Sequence, residues 1–185
     1  MLGVASSAGG LPALGHLLGG IPATFRLPIL VAHHRGPSSA AIFVRLLKGR
    51  TNLEVKEARS GEWPRPGVVY VAPAERHLEV APTGQLDVRR SGRVQYVCPS
   101  ADLLFASMAR VYGQGTMALV LTGYGRDGAE GAKEVRRRGG FVIAQDSQTS
   151  AYSGMPASAI ETRRVDLVLP LHNLAYALNV LTGSL

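Results

Sequence analysis

The chain has 185 residues, a formal net charge of +7, 46% apolar residues and 18% charged residues. That is enough for one domain with a buried core, and the composition excludes disordered and fibrous classes. A single cysteine, Cys98, excludes an internal disulfide and a cysteine-based metal site. No leader-like segment opens the sequence, and no apolar run approaches the ~20 residues that span a bilayer, so a cytoplasmic protein without membrane insertion is expected. The positive charge attracts acidic partners. The basic clusters, Arg136-Arg137-Arg138 and Arg163-Arg164, are short and sit where helix ends are expected. No nucleic-acid motif accompanies them, and no nucleic-acid partner is expected.

Short apolar runs alternate with amphipathic segments. Leu2 to Ala5 is strand-like. Leu11, Leu14, Leu17, Leu18 and Ile21 recur at helical spacing until Gly19-Gly20 stops the helix. The run "LPILVAHH" predicts a second buried strand. Ser38 or Ser39 is a candidate cap for a helix through Phe43, Leu46 and Leu47. "LEVKEA" alternates, "GVVYVAP" is β-branched, and "HLEVAPTGQLDVRR" predicts a hairpin turning at Pro82-Thr83-Gly84. From Ser100 follow a helix through Leu103, Leu104, Met108 and Val111, strand "MALVLT", and a helix from about Ala129. Strand "FVIAQ", a short helix near Pro156, strand "DLVLP" and a helix through Leu174, Leu178 and Leu181 complete the series. Continuous apolar strands alternating with helices predict an α/β fold: a doubly wound, mostly parallel sheet with helices on both faces and an inserted antiparallel hairpin. The whole chain, 1–185, reads as one domain.

In such sheets function collects at the carboxyl ends of the strands. Ser6, Ser7, Ala8, Gly9 and Gly10 follow the first strand, His33 and His34 the second, and the loop "TGYGRDG" with Asp127 follows "MALVL". A serine, a histidine and an aspartate on one sheet edge are the parts of a hydrolytic triad. The imidazole takes the hydroxyl proton, and the carboxylate fixes the imidazole tautomer. Gly9 and Gly10 permit a tight turn into the helix, whose N-terminal amides favour developing negative charge. Each part has a plainer role available. Ser6 or Ser7 can cap the first helix, a strand-end histidine can be a satisfied polar group, and Asp127-Gly128-Ala129-Glu130 fits a capping box. Gly123, Gly125 and Gly128 also match G-x-G-x-x-G, with Asp146 near the distance of a ribose-binding acid, so a dinucleotide site is a rival. That rival leaves too few strands after the fingerprint.

The stretches "ASSAGGLPAL", "LPILVAHH", "RPGVVYVAPAERHLEV", "PSADLLFASMA", "VLTGYGRDGAEGA", "FVIAQDSQTSAYSGMPASAIE" and "VDLVLPL" resemble, in order and spacing, the catalytic domain of CheB-type chemotaxis protein-glutamate methylesterases. The resemblance covers nearly the whole chain. It implies hydrolysis of γ-glutamyl methyl esters on the cytoplasmic helices of methyl-accepting chemoreceptors, with deamidation of receptor glutamines in many members and no cofactor or metal. It maps the nucleophile onto Ser7, the base onto His34 and the acid onto Asp127. The backbone amide of Tyr124, with those of Ala8 and Gly9, falls near the oxyanion. Family members commonly have Gln-His where this chain has His33-His34, and methionine where it has Tyr124. His33 therefore stands as an alternative base, since adjacent strand residues face opposite sides, and His77 reads as structural. The family's usual N-terminal receiver domain is not in this chain, which begins almost at the first catalytic strand: either the sequence is a piece cut from a longer protein, or it is a stand-alone member regulated some other way, with a separate receiver or regulatory protein as the candidate partner. A diverged module that binds receptors without turnover is the alternative function.

Overall fold

Apolar, β-branched runs become strands here because both faces of the sheet are covered. The computed structural model describes residues 1–36 and 40–184. In chain order its elements are β1 (Leu2–Ser6), α1 (Gly10–Gly19), β2 (Ile29–His33), α2 (Ala40–Lys48), β3 (Glu54–Glu57), β4 (Val68–Val71), β5 (His77–Val80) and β6 (Leu86–Arg89). There follow α3 (Ala101–Tyr112), β7 (Met117–Val120), α4 (Ala129–Arg137), β8 (Phe141–Gln145), α5 (Gly154–Glu161), β9 (Leu167–Leu169) and α6 (Leu171–Thr182). The predicted cap at Ser38 or Ser39 lies outside the described residues.

Seven parallel strands form one sheet in the order β3-β4-β2-β1-β7-β8-β9, and β5 and β6 pair as a separate antiparallel hairpin. Strand parity divides the core. Leu2, Val4, Ile29 and Val31 face one side with α1, α2 and α6, through Leu14, Leu17, Phe43, Leu47 and Leu174. Ala5, Leu30 and Ala32 face the other with α3, α4, α5 and the hairpin, through Phe105, Met108, Val135, Met155 and Leu78. Two predicted core positions, Leu46 on α2 and Leu181 on α6, are exposed instead. The helix stripe at each is narrower than the apolar pattern suggests. The arginines ending α4 are paired: Arg137 and Arg138 with Glu134, and Arg136 with Asp166.

From β1 the chain winds outward through β2, then returns to place β7 on the other side of β1. The boundary between β1 and β7 is thus the point where winding direction reverses, the place where sites collect in an open α/β sheet.

Candidate active site

Ser6 and His33 are register partners at the ends of β1 and β2. They continue the parity of Val4 and Val31, so both point to the α1–α2 side. There Ser6 Oγ and His33 Nδ1 are hydrogen-bonded at 2.9 Å, both buried. The His33 ring stacks on Phe43 with centroids 4.3 Å apart. A Cβ on Gly10 would lie 2.8 Å from this ring, so only glycine fits beneath it. Burial, then the Arg35 and His34 charges, pull the His33 imidazole down to about 3. It is a neutral, inaccessible core histidine and a weak base.

One residue on, parity reverses. The His34 amide donates to Ser6 O at 3.0 Å, which extends the ladder and sets Ser7 and His34 on neighbouring strand ends facing the α3–α4 side. On that side His34 Nε2 donates to Asp127 Oδ2 at 2.7 Å. With Nε2 carrying the proton, Nδ1 is the nitrogen free to accept. Ser7 is half-buried and its hydroxyl makes no hydrogen bond among the described residues.

Asp127 is 3% exposed and does not cap its own helix; Gly128 occupies the N-cap of α4 in the left-handed conformation, with no side-chain cap. The Asp127 carboxylate instead reaches the start of α3. Oδ1 accepts from Ser100 Oγ (3.0 Å) and the Asp102 amide (3.0 Å), and Oδ2 accepts from the Ala101 amide (2.6 Å). Burial pushes this carboxyl upward, but the hydrogen bonds from His34, Ala101 and Asp102 outweigh it and hold it below the usual carboxylate range. Asp127 is therefore an anion aimed at His34. The capping-box expectation fails because the positive end of α3 offers this carboxylate more donors than its own helix does.

Neither Ser6 nor Ser7 caps α1. The cap position is Gly9, at φ +74°, which turns the chain sharply behind Ser7. The Ser7 amide donates to Thr122 O at 3.0 Å and ties the loops after β1 and β7 together. A Cβ on Gly123 would lie 2.7 Å from Ser7 Cβ, so a glycine is required for this loop to cross over the serine. Among the described residues, the amides of Ala8, Gly9 and Tyr124 find no protein acceptor, which leaves them as donors around Ser7. Beyond them the exposed rings of Tyr124 and Tyr152 pack at 4.3 Å.

The loop is not a phosphate cradle. The first amides of α4 that a phosphate would use, those of Gly128 and Gly131, donate to Asp102 Oδ1, and the Gly123 amide donates to Tyr152 O. Asp146 is spent on a turn, accepting from the Thr149 amide and hydroxyl. Among the described residues no group of three or more His, Cys, Asp or Glu side chains is placed to hold a metal.

Several supporting residues carried no sequence signal. Ser100 links Asp127 to His77, whose Nδ1 accepts from the Ser100 amide at 3.0 Å. His77 is fully buried and structural. Gln145 accepts from the Thr122 amide, and the Thr122 hydroxyl accepts from the Tyr152 amide. A cavity of about 250 Å³ opens beside His34, lined also by Arg35, Arg93, Tyr96 and Cys98.

The sequence profile described as CheB methylesterase matches residues 2–178. The chain belongs to the CheB methylesterase family. The CheB catalytic domain of Thermotoga maritima, a crystal structure, superposes with a TM-score of 0.93 at 36% identity, covering 97% of each chain. A protein-glutamate methylesterase/protein-glutamine glutaminase of Nitrosospira multiformis is 39% identical over 98% of this chain and 51% of its own length. One from Pyrococcus abyssi is 37% identical over 92% of this chain and 47% of its own. The chain spans about half the length of the curated CheB-type relatives it matches.

Proposed function

We propose that this chain is a protein-glutamate methylesterase that hydrolyses γ-glutamyl methyl esters on the cytoplasmic helices of chemoreceptors, with glutamine deamidation as a second outcome of the same attack. The observation that carries the reading is His34, held through Nε2 by the Asp127 carboxylate on the sheet face where Ser7 emerges. Ser7 Oγ attacks the ester carbonyl carbon while His34 Nδ1 takes its proton, and Asp127 stabilises the imidazolium that results. The carbonyl oxygen becomes an oxyanion, for which the free amides of Ala8, Gly9 and Tyr124 are the donors at hand. Collapse breaks the ester C–O bond, and His34 returns the proton so that methanol leaves. Water, deprotonated at Nδ1, then cleaves the acyl–Ser7 bond and frees the glutamate carboxylate. With a glutamine substrate the leaving group is ammonia. No step calls for a metal or a cofactor.

The net charge of +7 suits acidic receptor helices. No described helix is long and apolar enough to cross a membrane.

Methanol release from a methylated receptor fragment tests the reading, and the native chain is expected to turn over repeatedly. The alternative, a module that binds receptors without hydrolysis, is favoured by one observation: Ser7 and His34 are not hydrogen-bonded to each other. Such contacts often tighten only around substrate. A folded chain that binds the fragment and releases no methanol would establish the alternative.

A further inference from the structure

Asp127 and Asp102 exchange helix caps. Asp127 precedes α4 but its carboxylate accepts from the first turn of α3. Asp102 lies in that first turn, and its Oδ1 accepts from the Gly128 amide at 2.9 Å and the Gly131 amide at 2.7 Å, in the first turn of α4. Those amides are orphan donors with no partner inside their own helix. The two helices approach closely enough that a Cβ on Gly131 would lie 2.7 Å from Phe105 Cβ and 3.0 Å from Asp102 Cα. Asp102 itself is 8% exposed, and burial raises its carboxyl to about 6. The only other side chain bonded to it among the described residues is Gln95, whose Nε2 reaches Oδ2 at 3.4 Å.

We infer that Asp102 is a positioning residue for the hydrolytic site: its carboxylate pins Gly128 and Gly131, and with them the backbone that aims Asp127 at His34. This inference rests on the methylesterase reading for its kinetic consequence, but its geometric content does not. Gly128 is the residue directly after Asp127, so a shift of that amide moves the Asp127 carboxylate with it. The Asp102 amide holds Asp127 Oδ1 from the opposite side. The segment is thus clamped by the same residue twice, once by its backbone and once by its side chain. Asp102→Ala keeps the backbone clamp and removes the other. A misplacement of about 1 Å at a reacting group costs on the order of 10²-fold in rate.

The experiment compares the native chain, Asp102→Ala and Asp102→Asn by thermal melting, by methanol-release kinetics, and by proton NMR of the His34 Nε2–H that Asp127 accepts. Asp102→Ala is expected to fold, to lose that hydrogen-bonded proton signal, and to lose about 10- to 100-fold in kcat with KM within about twofold. Asp102→Asn retains an oxygen for both glycine amides and is expected to keep the signal and at least roughly a third of kcat. A folded Asp102→Ala with native signal and kcat overturns the inference. So does a folded Asp102→Asn that has lost the signal, because charge and not capping would then be what matters. If Asp102→Ala does not fold, Asp102→Asn decides alone by the same criterion. A native chain with the NMR signal and no methanol release would defeat the methylesterase reading while leaving the clamp intact.

Discussion

His34→Ala is expected to reduce kcat/KM for methanol release by on the order of 10⁴-fold or more, while His33→Gln stays within a few-fold of native. The two histidines are adjacent in sequence and opposite in surroundings. His33 points to the α1–α2 side, buried against Phe43, with no carboxylate on it and with Arg35 and His34 disfavouring its charge. A glutamine there still offers an oxygen to Ser6 Oγ and fills similar space. His34 has the Asp127 carboxylate at 2.7 Å and an open Nδ1. In the proposed mechanism, removing it takes away the group that accepts the Ser7 proton and later returns it to methoxide. Parallel melting curves separate lost chemistry from lost fold. Equal losses in both variants would contradict the assignment of roles.

Asp127→Asn is expected to lower kcat by on the order of 10⁴-fold and also to weaken the fold. The native carboxylate accepts from four protein donors: His34, Ser100, Ala101 and Asp102. An amide in either orientation turns its –NH₂ toward a backbone N–H, at Ala101 or at Asp102. An unpaired buried donor costs about 1–3 kcal/mol. The charge that stabilises the imidazolium in the proposed mechanism is lost as well. The pH dependence follows from the sign of the Asp127 shift. Its folded carboxyl is held below the usual value of about 3.9, so its contribution to stability is present above that value and fades as pH falls below it. The amide introduced by Asp127→Asn cannot titrate, so the gap in stability between the two proteins should narrow below about pH 4. Acid-unfolding curves for the two proteins check this. A gap that stays constant down to about pH 2 would mean that Asp127 is not held as an anion.

The sheet was readable because its strands are continuous apolar runs, and the shared edge because three polar loops end three neighbouring strands. Which of the two histidines meets Asp127 was also encoded, but only through parity: it required knowing that β2 ends in register with β1 at Ser6 and His33. What the sequence hides is non-local. Asp127 looks like a cap for α4 because Glu130 follows at the right spacing, yet its partners at the start of α3 lie 25 to 27 residues earlier and His34 lies 93 residues earlier. Asp102 has the same disguise in reverse, reading as an ordinary first-turn acid of α3 while bonding to Gly128 and Gly131. Gly9 takes the cap position that either serine was suited to, which leaves Ser7 free. Leu46 and Leu181 fit a helical stripe but fall outside what the sheet can cover. Local pattern ranks candidates, and the packing of α3 against α4 determines which of them meet.

Covalent trapping of the nucleophile tests the Ser7–His34–Asp127 assignment most directly. The native chain would be treated with a serine-reactive phosphonate ester and the labelled peptide mapped by mass spectrometry. One adduct is predicted, on Ser7, formed with native kinetics in His33→Gln and largely abolished in His34→Ala. An adduct on Ser6, or labelling of Ser7 that is indifferent to His34→Ala, would contradict the assignment.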